Sequence, residues 1–126
     1  MSANILAKIV EHKLVEVSER KKQISMADLE AMPLFTKSGY SLKANLLNPN
    51  LTGIIAEFKR QSPSKGVIND QASVAEVTKA YTQFGAAGIS VLTDAAFFGG
   101  NLSDLTVAMQ NPIPVLRKEF IVDEFQ

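Results

Sequence analysis

The sequence predicts an α/β protein built on parallel strands. Three observations carry this: short apolar runs start near Ile54, Ile89 and Pro114, single segments of helical periodicity separate them, and loops carrying Gly, Ser or Asp follow the first two. Strands joined through one helix run parallel with right-handed crossovers, which leaves a doubly wound sheet or a (β/α)8 barrel. Topology alone does not choose between them.

From Asn4 to about Gln23, residues Ile5, Leu6, Ile9, Val10, Leu14 and Val17 recur at helical spacing, with Lys8, Glu11, Lys13, Glu16 and Arg20 on the other faces. An amphipathic helix therefore opens the chain. Ser25 with Asp28 three residues on predicts a short capped helix that Pro33 ends, and Ser41 caps another across Leu42, Leu46 and Leu47. Pro49 and Gly53 mark a turn. Residues 54–59 then form a β-type run, and Gln61 to Asp70 read as a loop. Ser73-Val74-Ala75-Glu76 matches a capping box, and Val74, Val77, Tyr81 and Phe84 make one apolar stripe before Gly85 and Gly88 stop it. Residues 89–93 are a second strand, 94–100 a loop, 102–109 a helix and 114–120 a third strand, after which residues 121–126 read as the opening of another helix. Nothing is low-complexity and no repeat of solenoid type is present. A parallel sheet ending at Phe120 leaves its edge exposed, so the chain reads as interrupted.

With 126 residues and 46% apolar content, the chain can bury one core. Thirteen Lys+Arg balance thirteen Asp+Glu, which gives no basic stripe for a nucleic acid. The absence of cysteine excludes disulfides, thiolate nucleophiles and cysteine zinc sites, and His12, the only histidine, cannot by itself build a triad or metal site. Charges within the first turns interrupt any apolar run of leader or membrane-span length, so the expectation is a cytoplasmic protein with no membrane partner.

Chemistry gathers at strand ends. The period of two puts Ile55, Glu57 and Lys59 on one face of the first strand and Leu116, Lys118 and Phe120 on one face of the third, so both faces begin apolar and become charged. In parallel α/β folds the strand C-termini form the binding face. Two readings stand side by side: a substrate site, or a solvated strand end with a weak ion pair. An unpaired charge inside a barrel is costly and a buried pair often adds no net stability, which tips the balance toward the site. The Ser62-Pro63-Ser64-Lys65-Gly66 loop reads first as an exposed turn and second as an anion contact or a segment that closes over a site, and Phe97-Phe98-Gly99-Gly100 reads as a turn in which at least one aromatic meets a ligand or the N-terminal helices.

Three stretches together resemble indole-3-glycerol phosphate synthase: residues 54–66, IIAEFKRQSPSKG; residues 90–94, SVLTD, with Phe97-Phe98-Gly99-Gly100; and residues 114–123, PVLRKEFIVD. Their order and spacing agree with that family, as does a helical segment ahead of the first strand, and the resemblance covers essentially the whole chain. It implies an N-terminal helical extension over residues 1–48 and the first part of a (β/α)8 TIM barrel over residues 49–126. The implied reaction closes the ring of 1-(2-carboxyphenylamino)-1-deoxyribulose 5-phosphate with loss of carbon dioxide and water, using no cofactor and no metal. By the same resemblance Lys118 is the general acid, Glu57 and Lys59 are its first-strand partners, and Ser62 and Phe98 contact substrate.

The departure is one of length. A (β/α)8 barrel typically takes about 250 residues, and only three of its eight strands are recognisable. The family's general-base glutamate, a later asparagine and the phosphate-holding Ser/Gly loops have no counterpart. The expectation is that these residues alone are inactive, and that they self-associate or pair with the rest of a barrel. Phosphoribosylanthranilate isomerase, a neighbouring barrel, relies on an early cysteine that this chain lacks. A non-catalytic partial-barrel binding or assembly module is the alternative from another class.

Overall fold

The computed structural model describes residues 4–126, so Met1, Ser2 and Ala3, part of the stretch read for a leader, lie outside the described residues. Contacts divide the chain into two compact units, residues 4–38 with Phe120–Gln126, and Gly39–Glu119.

The first unit is built on α1 (Ile5–Gln23) and α2 (Met26–Glu30). The Asn4 side chain accepts from the Leu6 N–H at the start of α1, and Arg20, Lys21 and Lys22 complement the dipole at its end. The buried stripe of α1 differs from the expected one. Ile9, Lys13 and Val17 stack at i, i+4 and i+8, while Leu14 is exposed and Lys13, expected on the polar side, is only 1% exposed. Its ammonium meets Glu16 Oε2 at 3.1 Å, which partly compensates the desolvation. In α2, Ser25 and Asp28 form a reciprocal capping box.

Residues 121–126 do not open a helix. They form a turn in which Gln126 Oε1 accepts the Val122 and Asp123 N–H groups and Asp123 Oδ1 accepts that of Phe125, so side chains take donors that an incipient helix would leave unpaired. Lys21 Nζ donates to Asp123 Oδ2 at 2.6 Å and lies 5.7 Å from the Phe125 ring centre. That hydrogen bond, reinforced by the Phe125 N–H, holds the Asp123 carboxyl below its usual pKa.

The second unit contains α3 (Leu42–Leu47), β1 (Ile55–Phe58), β2 (Gln61–Ser62), β3 (Gly66–Val67), α4 (Val74–Gln83), β4 (Gly88–Leu92), α5 (Leu102–Ala108) and β5 (Val115–Lys118). The main sheet has the order β1-β4-β5 with both pairings parallel, the predicted β-α-β-α-β. The third strand stops at Lys118, two residues short of the expected end. β2 and β3 form a small antiparallel hairpin inside the segment read as a plain loop; Gly66, at φ +64, allows its reversal.

Alternation along β4 explains the core. Ile89 and Val91 point to the helical layer and pack with Ala108, Tyr81, Leu105, Ile113 and Val115. Full burial of each contributes about 1.5–3 kcal/mol. The Ser73 hydroxyl accepts from the Glu76 N–H to start α4. Phe84, expected in the apolar stripe of that helix, is 83% exposed because α4 ends at Gln83 and Phe84 is its C-cap; Thr78 is buried instead. Among the described residues no helix is long and apolar enough to cross a membrane.

After β4 the chain turns sharply. Asp94 Oδ2 accepts the Phe97 and Phe98 N–H groups at 2.7 and 3.1 Å, Gly99 has φ +63, and the Gly100 N–H returns to the Asp94 carbonyl. A Cβ on Gly100 would lie 2.0 Å from the Leu92 carbonyl oxygen, an atom fixed by the sheet. Gly100→Ala is therefore expected to destabilise the protein by about 2 kcal/mol or more. Urea denaturation checks this, and an unchanged midpoint would mean that the turn relaxes at no cost.

Candidate active site

The face of the sheet opposite the helices carries the polar side chains. On this face Ile55 and Glu57 of β1, Ser90 of β4, and Leu116 and Lys118 of β5 line an open groove of about 400 Å³, which ends against Arg117 and Glu119. Register decides who meets whom. Glu57 stands opposite Ser90, Ser90 opposite Leu116, and Lys118 one step further on, opposite Leu92. The outer strands lie about 10 Å apart across β4, given the usual spacing between neighbours. A long Lys and a Glu can span that gap only above a small residue, and Ser90 is that residue.

Lys118 Nζ donates to Glu57 Oε2 at 2.9 Å, and Ser90 Oγ donates to the same oxygen at 3.3 Å. Lys59 Nζ lies 3.8 Å from the other oxygen, Oε1. One carboxylate thus serves two ammonium groups and a hydroxyl. Lys118 is 54% and Glu57 28% exposed at the side chain, so solvent screens the pair and it contributes roughly 0–1 kcal/mol. Stability does not account for placing three charges on a face that elsewhere carries Ile55 and Leu116.

The supports behind this face come from the helices. The Tyr81 hydroxyl of α4 donates to the Glu57 carbonyl at 3.0 Å, which fixes the β1 backbone just where the charges begin. Arg60 lies 4.8 Å from the Phe58 ring centre and forks onto Asp104 at the start of α5, with Nη2 to Oδ1 at 3.0 Å. The Asp104 hydrogen bond raises the Arg60 pKa, against a smaller opposing effect of burial. At the end of β4, Thr93 Oγ1 accepts from Arg117 and donates to Glu119.

Of the five residues singled out in the sequence, Glu57 and Lys118 line the groove, Lys59 reaches Glu57 from outside that lining, and Ser62 and Phe98 also stand outside it. Ser62 is buried in the β2–β3 hairpin, where its Oγ accepts from the Lys65 N–H at 3.3 Å and lies 3.4 Å from Ser64 Oγ. Phe98 is half-buried in the turn that Asp94 organises. Sequence reasoning missed Ser90, although a polar residue at an inward position between Ile89 and Val91 was a usable signal. It also missed the Arg60–Asp104 pair, whose partners lie 44 positions apart with no local pattern to join them. No group of three or more His, Cys, Asp or Glu among the described residues is arranged to hold a metal ion.

A family model described as indole-3-glycerol phosphate synthase matches residues 6–126. The chain is 41% identical over 124 residues to the indole-3-glycerol phosphate synthase of Bacteroides thetaiotaomicron, covering 98% of this chain and 47% of that protein. It is 44% identical over 127 residues to the protein of the same name from Syntrophobacter fumaroxidans, covering 98% and 48%. For the protein of that name from Desulfosudis oleivorans the identity is 43% over 128 residues, covering 98% and 49%. The chain spans about half the length of these curated relatives.

Proposed function

Because this chain belongs to the indole-3-glycerol phosphate synthase family, we propose that its groove is the first part of the active site of that enzyme, completed by the remaining strands of a (β/α)8 barrel. In this reading residues 1–48 are the helical extension and residues 49–126 the opening of the barrel. The substrate is 1-(2-carboxyphenylamino)-1-deoxyribulose 5-phosphate, and the enzyme works in the cytoplasm. The observation that carries the reading is the Lys118–Glu57 contact of 2.9 Å inside the groove, at the C-terminal ends of parallel strands.

The chemistry needs a proton donor beside a carbonyl. As the aromatic carbon bonds to the ribulose carbonyl carbon, negative charge grows on the carbonyl oxygen, and a lysine ammonium aimed there donates a proton as the charge develops. Lys118 has that role. Cleavage of the bond from that ring carbon to the carboxylate releases carbon dioxide and restores the aromatic ring, and elimination of the new hydroxyl as water, with a proton lost from the neighbouring carbon to a base, completes the indole. Glu57 holds the Lys118 ammonium in place through their 2.9 Å contact, and Lys59 approaches the other Glu57 oxygen at 3.8 Å. Ser62 and Phe98 contact substrate from the loops after β1 and β4, and the strands that complete the barrel supply the base and the phosphate site.

The test is an indole-3-glycerol phosphate assay on a complete barrel built on residues 1–126, either by continuation of the chain or with the second half of a relative. Product is expected from that barrel. Glu57→Gln is expected to lower turnover roughly 10-fold or more with little change in melting temperature, since the carboxylate positions a proton donor and holds no core. A large fall in melting temperature with unchanged turnover would assign Glu57 to an ion pair and nothing more.

A further inference from the structure

Ser90 sits at the centre of β4, 4% exposed, between Ile89 and Val91, which are wholly buried. Burial of a hydroxyl is costly without a partner. Among the described residues its Oγ has one side-chain hydrogen-bond partner, Glu57 Oε2 at 3.3 Å, the same oxygen that receives Lys118 at 2.9 Å. The carboxylate has a competing neighbour, because Lys59 stands 3.8 Å from Oε1. Two cations on one carboxylate leave its orientation undecided; a neutral donor on one side breaks the tie without adding charge.

We propose that Ser90 is a positioning residue, whose hydroxyl holds Glu57 Oε2 toward Lys118 and so aims the ammonium group into the groove. The proposal rests on the ring-closure reading given above. Two features of residue 90 combine here. Its small side chain leaves room for Lys118 and Glu57 to meet across β4, as the register of Glu57 with Ser90 and of Ser90 with Leu116 requires. Its hydroxyl selects which oxygen of Glu57 the lysine meets. Alanine keeps the first feature and loses the second, so Ser90→Ala isolates orientation from space.

In the complete barrel Ser90→Ala is expected to lower kcat roughly 10-fold while KM stays within about threefold, because a hydrogen bond to a charged group is lost and the substrate keeps its binding contacts. The decisive comparison is a double-mutant cycle. If Ser90 acts through the carboxylate, Ser90→Ala has less than about a twofold effect on the residual rate of Glu57→Ala. An equal loss in both backgrounds, or a Ser90→Ala kcat within about twofold of the unsubstituted barrel, overturns the role assigned to Ser90 alone. Absence of product from the unsubstituted barrel overturns the ring-closure reading, and the role of Ser90 with it.

Discussion

Lys118→Ala in a complete barrel built on residues 1–126 is expected to lower kcat by about 100-fold or more, the range for loss of a positioned general acid. The geometry gives the reason. Lys118 stands at the C-terminal end of β5, and its ammonium is anchored by Glu57 at 2.9 Å with Ser90 on the same oxygen. Such an ammonium remains where charge develops on the substrate carbonyl, without reorganising solvent around it. The ground-state carbonyl carries little charge, so the lysine contributes mainly in the transition state. The loss should therefore fall on kcat and kcat/KM together and leave KM little changed. Structure should survive, since an ion pair this exposed contributes at most about 1 kcal/mol. Steady-state kinetics with a melting curve on the same preparation check both points. A kcat within a few-fold of the unsubstituted barrel would remove Lys118 from the mechanism and leave the groove as a solvated strand end.

The extent to which this arrangement is legible in the sequence varies with the kind of physics involved. Local periodicity locates α1, α4 and the three parallel strands, because apolar spacing and caps such as Ser73 act within a few residues. The same periodicity places Glu57 and Lys118 on inner faces, and register then brings them together. What stays hidden is set by distant partners. Lys13 is buried although its residue type predicts exposure, the exposure of Phe84 follows from a helix that stops one residue early, and Arg60 finds Asp104 on another element. The β2–β3 hairpin has only two residues in each strand, too few for an alternation to register. Ser90 stood in plain view in the sequence, but its role needs the distance to Glu57. The assignment of residues to a particular reaction came from resemblance, and charge spacing alone left a binding face and a solvated strand end equally open.

Residues 1–126 by themselves are expected to form no indole-3-glycerol phosphate, the largest effect anticipated here. Lys118, Glu57 and Lys59 would all be present, yet groups that act as a catalytic unit lose most of their effect when one member is missing. The base and the phosphate loops implied by the family resemblance are not among these residues, and the curated relatives are about twice as long as this chain. The same absence has a packing consequence. Ile55 and Leu116, which line the groove, are 41% and 49% exposed, and β1 and β5 each have only one strand neighbour among the described residues. Apolar surface beside unpaired strand edges favours association, either with another copy or with the second half of a barrel. Size-exclusion chromatography of residues 1–126 should therefore show species larger than a monomer. Addition of a separately expressed second half from a relative should shift them to a defined complex and bring synthase activity with it. A monomer that turns over substrate unaided would mean that the active site is built within these residues, and that the role given to the remaining strands is wrong.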